Sequence, residues 1–115
     1  MPELLHVTER LTWAGAERVG EYRMSTRGVT LAAEGFIHCS LRHQLRGVAE
    51  LLYADAEDLV VLVIDSDKVG APVRFEAPAP GADEYPHIYG PLPAAAVTDV
   101  IAVTRDPAGR FVLPE

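Results

Sequence analysis

The run Leu59-Val60-Val61-Leu62-Val63-Ile64 constrains this chain more than any other stretch. With no polar residue in it, it cannot alternate between a wet and a dry face, so a strand made from it must be covered on both sides. Branching at Val60, Val61, Val63 and Ile64 favours strand over helix. The run is far shorter than the roughly 20 apolar residues a membrane-crossing helix needs. A chain of 115 residues, 49% of them hydrophobic, has material for one core around such a strand, and a single domain over residues 1–115 is expected.

The other elements arrange themselves about that strand. Leu4 to Thr8 is short, apolar and partly β-branched, which predicts a strand carrying His6. From Thr8 or Thr12 the residues Leu11, Trp13, Ala14, Ala16 and Val19 fit a short helix stopped by Gly20. The segment from Glu21 to Thr30 has no clear period and reads as a connector. Phe36 to Cys39 predicts a strand, followed by Ser40 as N-cap of a helix from Leu41 to Tyr53 whose apolar face is Leu41, Leu45, Val48, Leu51 and Leu52. Val73 to Glu76 alternates as a strand does, and Pro78, Pro80 and Gly81 mark a surface loop running to Glu84. Val97 to Thr104 and Phe111 to Leu113 complete the strands. Helices early and strands late predict an α+β fold.

The net charge is −7, with 17 acidic against 10 basic residues, and the basic residues are scattered. Neutralising nucleic-acid phosphates takes a contiguous basic face, so the expected partner is a small molecule or nucleotide, with neither nucleic acid nor membrane. Cys39 is the single cysteine and cannot form an intramolecular disulfide, and the chain opens with no charged-then-apolar leader. A cytoplasmic location is therefore expected.

The chemistry-bearing residues gather in two blocks, Glu34-Gly35-Phe36-Ile37-His38-Cys39-Ser40 with His43 and Gln44 close behind, and Tyr85-Pro86-His87-Ile88-Tyr89-Gly90-Pro91. Adjacent strand residues point to opposite faces, so Cys39 inward places His38 outward and breaks up a Cys-His catalytic pair. A zinc site from His6, His38, His43 and His87 lacks the tight spacings that mark metal ligands. A third reading is a pocket of neutral imidazoles, with a phosphate or carboxylate at Ser40 and the helix start, where His43 and Gln44 fall. Tyr89 offers a flat ring or a hydroxyl, and Glu76 and Glu84 are near enough in sequence to orient His87 or to act as a base.

Across almost its whole length the chain resembles the family known as domain of unknown function 952. His6, Trp13, the block Glu34 to Ser40, Gln44 and Pro86-His87-Ile88-Tyr89-Gly90 carry that resemblance. More distantly, the order of His6 and Thr8 in a strand, a tryptophan-bearing helix and the strand Phe36-Ile37-His38-Cys39-Ser40 is similar to the start of ADP-ribosyltransferase-like folds, nearest to the RNA 2'-phosphotransferase branch. That resemblance implies a split β-sheet with two to three short helices. It implies NAD, ADP-ribose or a related nucleotide as ligand, and transferase or glycohydrolase activity. It puts His6 and Thr8 on the cofactor side and His38 on the second strand.

Val7 stands where the phosphotransferases have glycine, and Glu34-Gly35-Phe36 where they have an arginine, which argues against transfer of a 2'-phosphate from RNA. The site expected from residues and resemblance together has His38, His87, Glu76 and Glu84 in catalytic roles. His6, Thr8, Ser40, His43, Gln44 and Tyr89 would hold the ligand. The residues leave a second reading open, a non-catalytic ligand-binding or interaction module. The discriminator is whether Glu76 or Glu84 reaches the histidines.

Overall fold

The computed structural model describes residues 3–114. Strand β1 (Glu3–Glu9) leads into helix α1 (Arg10–Val19), and short strands β2 (Glu21–Tyr22), β3 (Met24–Thr26) and β4 (Val29–Thr30) follow. A one-turn helix α2 (Leu31–Glu34), strand β5 (Ile37–His38) and helix α3 (Arg42–Tyr53) complete the first half. The second half carries strands joined by loops and two short 3-10 turns: β6 (Leu59–Asp65), β7 (Val73–Glu76), β8 (Tyr85–Ile88), β9 (Leu92–Pro93), β10 (Val97–Ala102), β11 (Thr104–Arg105) and β12 (Phe111–Val112). The fold is α+β, as expected.

The apolar run lies in β6, the middle strand of the sheet β1-β6-β10, antiparallel to both neighbours. Val60, Leu62 and Ile64 pack with Leu4, Trp13, Tyr22 and Ile37, while Leu59, Val61 and Val63 pack with Leu45, Val48, Ala49 and Tyr53 of α3. Two apolar layers on one strand account for the missing alternation. A second antiparallel sheet has the order β5-β8-β7. The two sheets meet at one bridge, where Leu5 N–H donates to the Ser40 carbonyl at 2.9 Å and Ser40 N–H to the Leu5 carbonyl at 2.7 Å.

Several expectations are corrected. The connector from Glu21 to Thr30 contains β2, β3 and β4, strands of two or three residues that are too short to show a period and that pair with β9 or with each other. The loop ending at Glu84 delivers the second histidine block to the centre of a sheet, its residues Tyr85 to Ile88 forming β8. Pro86 is tolerated there because its carbonyl still accepts from Cys39 N–H at 2.9 Å, just past the end of the β5 pairing. Helix α3 begins at Arg42 with Leu41 as its N-cap, so Ser40 bridges β1 and does not cap. Leu51 is 81% exposed and Leu11 and Val19 are also exposed, so the inner faces are narrower than apolar spacing suggested.

Candidate functional site

The period of two in β5 and β8 builds the site. His38 lies opposite His87, which lies opposite Arg74, and Tyr85 lies opposite Glu76. Residues two apart share a face, so Phe36 joins His38, Glu76 joins Arg74, and Tyr85 and Tyr89 flank His87 on one side of the second sheet. Ile37, Cys39 and Ile88 take the other side and are fully buried. Cys39 is thus a core residue, and burial pushes its thiol pKa well up. This face forms the floor of a cleft of roughly 660 Å³, walled by Ser25 and Thr26 of β3, Glu34 of α2, and Val48, Leu51 and Leu52 of α3.

On this face runs a line of polar contacts. His87 Nδ1 donates to Glu76 Oε1 at 2.8 Å, and the Tyr89 hydroxyl donates to the same oxygen. Because a carboxylate only accepts, Nδ1 carries a proton in this contact, and the tautomer it selects for a neutral ring leaves the lone pair on Nε2. That lone pair stands 3.4 Å from His38 Nδ1. Phe36 stacks on the His87 ring at 3.9 Å and 16°, which holds the imidazole in plane. The Tyr89 and His87 donors hold the Glu76 carboxyl below its ordinary pKa, and the same contact raises that of Tyr89. His38 is lowered to about 4, chiefly by burial and then by His87, so its ring is neutral near pH 7.

Beneath this floor lies His6. Its Nδ1 donates to the His38 carbonyl at 2.6 Å, which leaves Nε2 as an acceptor 2.7 Å from the Tyr22 hydroxyl. The Tyr22 hydroxyl therefore donates to His6, and the Thr8 hydroxyl, 2.9 Å from that of Tyr22, completes the chain. His6 is 3% exposed and its pKa is lowered to about 4 by burial. His6 and Thr8 are thus buried supports of β5 and do not line the cleft.

The remaining expected residues scatter. Gln44 is buried at the start of α3, where its Oε1 accepts from Leu41 N–H at 3.0 Å and its Nε2 donates to the Glu84 carbonyl at 2.7 Å. The Glu84 side chain is exposed and apart from the cleft. His43 lines a separate depression with Arg42 and Arg46, and Ser40 is buried in the junction of the sheets. The helix start is therefore not part of the cleft. The four-histidine zinc reading fails for the same reason, and among the described residues no group of three or more His, Cys, Asp or Glu comes together to hold a metal. His38, His87, Glu76 and Tyr89 are brought together. Phe36, Tyr85 and Glu34 were missed, although Phe36 and Tyr85 each stand two residues before a cleft histidine, the spacing that signals a shared strand face.

No described helix is long and apolar enough to cross a membrane. No curated protein matches the sequence. Among solved structures, the chain is similar to the crystal structure of protein CC0527 from Caulobacter crescentus, at 26% identity and a TM-score of 0.81 over 96% of this chain and 93% of that one. The solution NMR structure of CC0527 is similar at 28% identity and a TM-score of 0.75, over 96% and 91% of the two chains. Residues 7–100 match the family described as Protein of unknown function (DUF952). With most of its length inside that match, the chain belongs to the DUF952 family.

Proposed function

We propose that the protein binds a nucleoside-bearing ligand of the NAD or ADP-ribose kind in this cleft and acts on it by acid–base chemistry, as a transferase or glycohydrolase. The observation that carries the reading is the hydrogen-bonded line from Glu76 through His87 to His38. Glu76 fixes the His87 tautomer, so His38 donates its Nδ1 proton toward His87 and keeps a lone pair on Nε2. That nitrogen is the base. It takes a proton from a water or acceptor hydroxyl as the oxygen bonds to the ribose C1' carbon, and the C1'–N bond breaks with its electron pair leaving on the ring nitrogen. The proton on His38 Nδ1 passes to His87 Nε2, where the imidazolium is stabilised by the Glu76 carboxylate. The separation of 3.4 Å between the histidines is at the long end of a hydrogen bond, a looseness common before substrate closes a site.

Split sheets joined at Leu5 and Ser40 support the likeness to ADP-ribosyltransferase-like folds. Glu76, and not Glu84, is the acid that reaches the histidines, which favours chemistry over a purely binding role. The test is titration calorimetry and ligand-observed NMR with NAD, ADP-ribose and their nucleosides, followed by product analysis. Binding and slow cleavage of the glycosidic bond are expected. Cleavage should fall about 100-fold or more in His38→Ala, on the scale of losing one general base. Absence of binding by all of these ligands would sink the reading.

A further inference from the structure

The charge of the cleft is one-sided. Two carboxylates, Glu34 and Glu76, and three rings, Phe36, Tyr85 and Tyr89, line it, and among the described residues none of its lining side chains is lysine or arginine. Two arginines border these residues, Arg74 on the same sheet face as Glu76 and His87, and both are engaged, as one oxygen of Glu76 is by His87 and Tyr89. The Arg74 guanidinium lies over the Tyr89 ring, 5.3 Å from its centroid. Arg27 is ion-paired to Asp55 and donates to the Leu52 carbonyl.

A pyrophosphate leaving water needs replacement donors, normally a guanidinium fork, a lysine or the free amides of a helix start. The helix start is also absent from the cleft. The Leu41 N–H is taken by Gln44 Oε1 and the Gln44 N–H by the Leu41 carbonyl, while His43 opens onto the other depression. His38 supplies no positive charge near neutral pH, since its ring is held neutral by burial. The chain as a whole carries −7, which adds a repulsive field for anions. Carboxylates beside aromatic faces suit the opposite kind of ligand, a flat ring carrying positive charge. Leu51 and Leu52 give that ring an apolar wall.

We propose that the cleft takes a ribonucleoside with a cationic ring, of the pyridinium type, in preference to any pyrophosphate-bearing dinucleotide. This rests on the acid–base reading above and narrows its substrate class. The cationic ring is also the better leaving group, because it departs as a neutral base with no proton required. Any phosphate that such a ligand carries lies outside the cleft and contributes nothing to binding.

The experiment compares four probes on the intact protein by titration calorimetry at low and at physiological salt: nicotinamide riboside, adenosine, NAD and ADP-ribose. The pyridinium nucleoside should bind about tenfold more tightly than ADP-ribose, the ratio of roughly two screened charge contacts. The gap should narrow at higher salt and by about threefold in Glu34→Gln, an exposed position whose change leaves the core intact. Tighter binding of NAD or ADP-ribose than of the nucleosides overturns this preference and leaves the acid–base reading standing. Binding of the nucleoside without bond cleavage removes the catalytic reading and leaves the preference standing. If none of the four binds, both fall.

Discussion

Glu76 touches two donors through one oxygen, and this sets the state of His87. With the carboxylate present, the Nδ1–H tautomer is the one that keeps both imidazole nitrogens in use. Nitrogen-15 NMR of the neutral His87 ring should show that tautomer. In Glu76→Gln it should show a mixture, because a carboxamide both donates and accepts. An Nε2–H tautomer in the wild type would contradict the relay whatever the activity. His6 makes a separate prediction. Its folded pKa of about 4 lies below the 6.5 of an unfolded histidine, so the unfolded state binds more protons between those values. Stability is therefore full above about pH 6.5 and falls as the pH drops toward 4, by about 3 kcal/mol for this buried ring at most. Urea unfolding at pH 7, 5.5 and 4.5 measures the slope, and His6→Gln should reduce it, the remainder coming from His38, whose pKa is lowered to about the same value. Equal slopes in both proteins would show that His6 is not the titrating group. Ser25 is buried with a hydroxyl that has no partner among the described residues, so Ser25→Ala should leave the melting temperature unchanged or raised.

At the scale of elements, α3 depends on Gln44. One side chain caps the Leu41 amide and ties the loop before β8 through the Glu84 carbonyl. Gln44→Ala should cost about 1–2 kcal/mol in urea denaturation and should speed exchange of the Leu41 amide ahead of the rest of the helix. Unchanged exchange at Leu41 would mean that the cap is not holding the helix start. Leu51, though apolar, faces the cleft, so Leu51→Ala should leave stability almost untouched while weakening ligand binding. The same elements show how much could be read in advance. The outward turn of His38 and inward turn of Cys39 were legible, because alternation in a strand needs no knowledge of partners. The placement of Ser40, His43 and Gln44 was not, because it hinges on where α3 starts, and a shift of one or two residues swings a helical side chain through much of a turn. Glu84 and Glu76 looked equivalent by proximity. Only the register of β7 against β8 separates them, and register is a tertiary fact.

In the whole molecule, the apolar run in β6 fixed the two-layer core from sequence alone, while the small strand pairs were hidden by their length. The two sheets are unequal partners. β6 is covered on both faces, whereas the outer face of β5-β8-β7 forms the cleft floor. Native-state hydrogen exchange should therefore give β6 amides protection near the global unfolding free energy and those of β7 much less. Ligand should raise protection in β7 and β8 selectively, as expected for a molecule that binds the folded cleft and not its locally unfolded form.

The bridge between Leu5 and Ser40, with the His6 ring beneath it, has a further consequence. His6 grips the carbonyl of the same residue whose ring lines the cleft. The position of the His38 imidazole is thus inherited from a peptide unit that the first sheet clamps across the join. A displacement of β1 is therefore passed directly to the backbone that carries a cleft side chain, which couples the packing of the first sheet to the geometry of the second.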